Sequence, residues 1–382
     1  MSEFNNHTVK EIWHQPKMWL DSYDIVLANR RKIEEFLVSN GIGKDTGIVL
    51  TGAGTSDFIA DAAACLWTRS GYSRVKAVAT TDIVSSCGYF LDPSDRLFIS
   101  FGRSGNSPES VAAWKIARAW CRNASHLIIT CNPEGELVKC ADPERDLAIV
   151  LPDGTNDRSL AMTSSFSSML ITSILCKNIA SIERERARLK AAADFASHIL
   201  EDAVTGRLKE LASKKFSRAV FLGSGPLKGI ACECHLKLQE LTDGQIMCAY
   251  DSFMGLRHGP QAVINEDTLV VYLLSEDPYV RRYEADLVAQ VYSENHPAAQ
   301  VIVSTVPSGI SEGIDFEINA PASEELLEGE YRFVPYVLVG QLLGYYSSLA
   351  KGLDPDNPSA ARGAISRVVH GVTIYDFPED GQ

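Results

Sequence analysis

Apolar residues in this chain are gathered into short runs of four to six, separated by longer stretches in which they return every three or four positions. In the first half the runs fall at 47–50, 75–78, 97–101, 126–131 and 147–150, the length expected of strands buried on both faces. The helical spacing falls between and after them, at 58–67, 111–120 and 166–182. Strands alternating with helices predict a parallel sheet covered on both sides, an α/β architecture. Residues 1–40 carry helical spacing alone, with Thr8 as a candidate cap and a helix over 25–37, and read as a packing arm.

The charged helical segment ERERARLK at 183–190 interrupts the pattern, and a domain boundary is expected between 183 and 215. The alternation then restarts, with strands at 218–222, 268–274, 300–304 and 315–318 and helices at 227–241, 280–293 and 323–350. The two halves read as one fold repeated.

Three polar connections in the first half lead from the pattern into a helix: 51–57 (TGAGTSD), 102–107 (GRSGNS) and 162–165 (MTSS). In the second of these, Ser107 suits an N-cap, Pro108 the first helical position and Glu109 the positive end of the dipole. Loops of this kind aim backbone N–H groups and hydroxyls at one point, which is how a neutral loop holds a phosphate. A dinucleotide fingerprint fits poorly, because Asp57 stands where its third glycine belongs and no acidic residue closes a second strand about 20 residues on. In the second half, Ser275-Glu276-Asp277-Pro278 replaces hydroxyls with carboxylates that would repel phosphate, so the ligand is expected in the first half only.

Composition narrows the partners. A formal charge of −13 with no basic face argues against nucleic acid, while a local loop can still attract a small phosphorylated molecule. No apolar run approaches the roughly 20 residues of a membrane span, and the N-terminus lacks the pattern of a signal peptide, so a cytoplasmic location is expected. The nine cysteines are an odd number scattered through apolar segments, which fits reduced thiols better than disulfides. Cys232-Glu233-Cys234-His235 invites a zinc reading, but adjacent residues on a helix point to different faces, so no metal site is expected.

Taken together, Gly54-Thr55-Ser56, Arg103-Ser104-Gly105-Asn106-Ser107 and Thr163-Ser164-Ser165 resemble the phosphate-binding loops of the tandem sugar isomerase (SIS) domain proteins. The resemblance is closest to the galactosamine-6-phosphate deaminase/isomerase subfamily, also called tagatose-6-phosphate ketose/aldose isomerase. It extends to Glu11-Ile12 with His14-Gln15-Pro16, Arg257-His258-Gly259-Pro260, and Arg367-Val368-Val369 with Gly371-Val372. It implies two flavodoxin-like or Rossmann-like SIS domains, at 41–185 for sugar-phosphate binding and 210–352 for catalysis, with the arm at 1–40 and a tail at 353–382 closing the active site.

By the same resemblance, Gly54, Thr55, Ser56, Arg103, Ser104, Asn106, Ser107, Thr163 and Ser164 hold the substrate phosphate. Glu240 takes the position of the catalytic base, with Lys237 three residues earlier on the same helix face. His258 takes the position of the ring-opening histidine, which in relatives reaches a neighbouring subunit and implies at least a homodimer with shared sites. Gly102 departs from the family, where many relatives have serine. The family's C-terminal cation is often lysine, and here only Arg362 and Arg367 offer one; arginine cannot act as a neutral amine. No metal or other cofactor is implied. The expected reaction turns galactosamine 6-phosphate into tagatose 6-phosphate and ammonia. The alternatives are a deaminase or isomerase of another phosphosugar such as glucosamine 6-phosphate, and a non-catalytic sugar-phosphate-binding regulator.

Overall fold

Ten short strands assemble into two five-stranded parallel sheets in a computed structural model that describes residues 5–321, 329–367 and 371–377. The first sheet comprises β1 (Gly47–Thr51), β2 (Arg74–Ala77), β3 (Asp95–Gly102), β4 (Ser125–Thr130) and β5 (Leu147–Val150). The second comprises β6 (Arg218–Gly223), β7 (Met247–Asp251), β8 (Thr268–Leu273), β9 (Ala299–Ser304) and β10 (Phe316–Asn319). In each sheet the first strand of the set lies second from the edge, giving the same 2-1-3-4-5 order twice. All pairings are parallel, with Leu50 opposite Ile99 in one sheet and Leu222 opposite Tyr272 in the other. The α/β reading and the internal repeat are both present. Ligand-binding loops of such sheets lie beyond the carboxyl ends of the strands, where the chain order reverses between the first and third strands.

The chain divides into two compact units. The first-sheet unit is Lys17–Asp157, Ser164–Ala187 and Arg367–Gln382. The second-sheet unit is Met1–Pro16, Arg158–Thr163 and Arg188–Ser366. The N-terminal forty residues are therefore shared out: helix His7–Trp13 belongs to the second-sheet unit, and helix Arg30–Ser39 to the first. Asn6, rather than Thr8, caps the first helix by accepting from the Val9 amide; the Thr8 hydroxyl instead donates to Asp356 at 2.7 Å. In the second-sheet unit Glu11, 5% exposed, receives the Arg158 and Ser159 amides and the Ser159 hydroxyl, which fixes 158–163.

The core of the first-sheet unit includes Val49, Phe98 and Ile116, and that of the second includes Val220, Tyr272 and Ile302. Two helices differ from expectation. The long helix at 166–182 ends at Lys177, and the charged 183–190 segment begins a separate helix, Ile182–Ile199. The helix expected over 323–350 is a 3₁₀ turn at Glu330–Tyr336 followed by helix Val337–Ala350, while its start at 323–328 lies outside the described residues. Strand β7 has no counterpart in the expected pattern: it is a sheet edge, Met247 and Tyr250 are exposed, and no continuous apolar run marks it. Among the described residues no single helix is long and apolar enough to cross a membrane, and all nine cysteines are free.

Candidate active site

The turn after β1 is shaped by two glycines. Gly54 sits at φ +58°, which side chains rarely adopt, and a Cβ on Gly52 would lie 2.4 Å from the Ser56 carbonyl carbon. Helix Thr55–Arg69 therefore starts immediately off the strand, with Thr55 and Ser56 buried in its first turn. Asp57 follows on that turn. Burial, reinforced by Asp61 and Asp82, pushes its carboxyl up to about 7.

The loop after β3 is braced from outside. Thr130 donates to the Gly102 carbonyl at 2.6 Å, Asn132 to the Ser104 carbonyl at 2.9 Å, and the Leu137 amide to the Gly105 carbonyl at 3.0 Å. Gly105 is at φ +64°. Helix Pro108–Trp120 then begins with Ser107 at the N-cap position and no side-chain cap bond from it. Ser104 and Ser107 remain half-buried and Asn106 exposed, although Asn106 Oδ1 already accepts from the Glu136 amide. Arg103 is 7% exposed and donates to the Arg367 carbonyl at 2.8 Å.

The third loop is organised around a buried carboxylate. Asp157, fully buried, accepts from the Ser164 amide at 3.1 Å and from the Ser165 amide and hydroxyl at 2.9 and 2.5 Å. The N-terminus of helix Ser164–Lys177 thus already holds the protein's own carboxylate, because a buried aspartate needs donors and the helix end supplies them. Thr163 and Ser164 are fully buried.

The two candidate tail cations sit in different units. Arg362 is largely exposed and pairs with Asp243 at 3.2 Å in the second-sheet unit. Arg367 belongs to the first-sheet unit, where its guanidinium donates to the Asp157 carbonyl at 2.9 Å and to Asn156 Oδ1 at 3.1 Å. Arg367 therefore latches the tail to 156–157 and, through its own carbonyl, to Arg103.

In the second-sheet unit, helix Pro226–Leu241 carries Glu233, Lys237 and Glu240 on one face. Lys237 is fully buried, 3.3 Å from Glu233 and hydrogen-bonded to Glu240. Burial by itself would lower the lysine pKa, but the two carboxylates outweigh it and hold the ammonium charged. Glu240 keeps part of its side chain, 16%, in solvent. The helix is pressed against helix Val337–Ala350: a Cβ on Gly340 would lie 2.4 Å from the Cys234 Cβ, and one on Gly344 2.7 Å from the Lys237 carbonyl oxygen. Cys234 is thus a packing residue, and among the described residues no group of three or more side chains is placed to hold a metal. His258 is exposed in the loop that ends at Gly259, φ +115°.

The expected residues thus fall into two sets. Gly54, Thr55, Ser56, Arg103, Ser104, Asn106, Ser107 and Arg367 lie in the first-sheet unit with Ser164, and Glu240, Lys237, His258 and Thr163 in the second. Glu233 went unassigned by sequence reading, although its spacing of four and seven from Lys237 and Glu240 is the signal that would have found it.

This combination of repeated parallel sheets, hydroxyl loops and a buried lysine between glutamates has parallels among known proteins. The SIS-domain family profile matches residues 42–174. A Streptomyces coelicolor relative provisionally named D-galactosamine-6-phosphate deaminase AgaS is 40% identical, over 97% of this chain and 96% of that one. The D-galactosamine-6-phosphate deaminase AgaS of Shewanella sp. is 36% identical, over 97% and 92%. The crystal structure of tagatose-6-phosphate ketose/aldose isomerase from Escherichia coli superposes with a TM-score of 0.87 at 34% identity, over 99% and 98%. The chain belongs to the AgaS family of SIS-domain sugar-phosphate deaminase/isomerases.

Proposed function

We propose that the chain converts D-galactosamine 6-phosphate to D-tagatose 6-phosphate and ammonia. The observation that carries this is sequence identity of 36–40% along nearly the whole chain to relatives named for that deaminase.

The residues divide the work. The phosphate is held by the turns at 54–56 and 103–107, whose hydroxyls and N–H donors suit a dianion. His258 moves a proton between the ring oxygen and the C1 hydroxyl, opening the ring; its exposure suits delivery to the site of a second copy, so the working form is a homodimer or larger. Glu240 then takes the C2 proton, leaving an enolamine, and returns it at C1 to give the C2 imine. Water adds at C2, ammonia leaves, and the ketose remains. Lys237 hydrogen-bonds Glu240 and positions it, and the two glutamates keep Lys237 charged. Nine free thiols suit a reducing, cytoplasmic setting.

Ammonia release from purified protein given galactosamine 6-phosphate tests the reading, and its absence overturns it. The name of the Escherichia coli structure favours a second reading, in which tagatose 6-phosphate is interconverted with its aldose and no amine is lost. A panel of galactosamine, glucosamine and neutral hexose 6-phosphates separates the two.

A further inference from the structure

The first-sheet unit carries a cationic pocket at the wrong end of the sheet for its phosphate loops. A cavity of about 410 Å³ opens where β1, β2 and β3 begin, lined by the turn at 41–47 together with Arg74, Ser94 and Arg96. The phosphate turns follow the other ends of β1 and β3, a strand length of roughly 16 Å away. We propose that this pocket is a second anion site, taking a phosphate group distinct from that of the substrate.

Three cations converge there. The Arg96 guanidinium lies over Gly41, where a Cβ would come within 3.6 Å of Nη1, and Arg74 Nη2 comes within 3.5 Å of a Cβ placed on Gly47. Gly41 is required by its φ of +61°, and Gly47 by the Asp95 carboxylate, whose Oδ1 would lie 2.6 Å from a Cβ there. Lys44 is held by the Ser70 carbonyl at 2.8 Å and by the face of Tyr72 at 3.8 Å. These bonds fix the ammonium without neutralising it.

The neighbouring carboxylates offset part of this charge and leave Arg96 unpaired among the described residues. Asp95, which is buried, is engaged by Lys76 at 2.6 Å and by the Asp92 amide at 2.8 Å. Arg74 stands 3.9 Å from both Asp92 and Asp95, beyond hydrogen-bond range, and spends one donor on the Ser94 hydroxyl at 2.9 Å. Arg96 has no hydrogen-bonding or ionic partner among the described residues. Asp45 is the one carboxylate lining the cavity, and it accepts from the Ser73 hydroxyl at 3.1 Å. Counting Lys76 with the three lining cations, four cations stand against Asp45, Asp92 and Asp95, a locally positive cluster in a chain of net charge −13 that suits an anion.

Equilibrium dialysis of the full-length protein against labelled inorganic phosphate tests the site. Ser104→Ala, which weakens the substrate loop, should leave one class of phosphate binding intact. Adding Arg74→Gln and Arg96→Gln should then weaken that class by about tenfold or more. Arg96→Gln alone, an exposed change that removes no internal bond, should show the same direction and covers the case in which the multiple variant fails to fold. An isotherm of the Arg96→Gln variant that superimposes on its parent overturns the proposal. The substrate-loop reading has its own check in turnover, which Arg96→Gln should leave unchanged.

Discussion

The two halves of this protein begin with the same turn and put different chemistry on it. After β1 and after β6 the chain runs through Gly-X-Gly, with Gly54 and Gly225 both at φ +58° and ψ within a few degrees of each other. Gly52 faces Ser56 as Gly223 faces Leu227, each so tightly that a Cβ would overlap the main chain. The residues that follow part company. Thr55-Ser56-Asp57 opens the helix of the first unit and Pro226-Leu227-Lys228 that of the second. The helix after β8 diverges in the same direction, because Asp277 already fills its N-terminus by accepting from the Tyr279 amide. The turn is carried by the glycines, while the polar groups differ: hydroxyls in the first turn of one helix, and a buried lysine with its glutamates toward the far end of the other.

The largest expected effect falls on the proton-transfer side. Glu240→Gln should lower the rate of ammonia release by about 10²- to 10⁴-fold with little change in KM, since general-base groups contribute in that range. An equal loss from a hydroxyl-to-alanine change at Ser56 would erase the distinction between anchor and base. Lys237→Met should cost about 3–5 kcal/mol in denaturant unfolding, because it strands the buried Glu233 without its cation. The first unit offers no matching triad on its helix Thr55–Arg69, so isosteric changes there should be milder.

Gly52→Ala and Gly223→Ala probe what the halves share. Each should destabilise by about 1–3 kcal/mol, through overlap with the following turn, and the two losses should be similar. A large inequality would show that the matching turns are not matched in energy.

The smallest effect separates the turns by charge. The Asp57 carboxyl, raised in the fold to about 7, holds its proton where the unfolded chain has lost it. Stability should therefore fall as pH rises from about 4 to about 7 and level off above. Asp57→Asn removes that slope and should gain on the order of 1 kcal/mol at pH 8, discounted for the water that still reaches the group. Melting temperatures at pH 5 and pH 8 measure it, and a parent and variant with parallel profiles would show that burial at Asp57 is not felt.

How far the site was legible depends on the range of the interactions involved. The loops at 51–57 and 102–107 announce themselves because strand, turn and helix cap are local signals. Lys237 and Glu240 stand on one helix face by spacing alone. Asp157 gave no signal: its partners Ser164 and Ser165 lie seven and eight residues on, and only the folded chain shows that it fills the helix end the hydroxyls advertised. The family resemblance named the tail cation but could not choose between two arginines that differ only in where the chain has turned by then.

The sequence by itself determined the repeated α/β alternation, the hydroxyl turns of the first half and their absence from the second, because these follow from side-chain period and local backbone chemistry. Tertiary structure alone decided which charges are buried, which anion cradle is already filled and which arginine latches the tail. Each of those depends on groups brought together across the chain, where burial sets the strength of a charge and the neighbour that arrives first takes the donor.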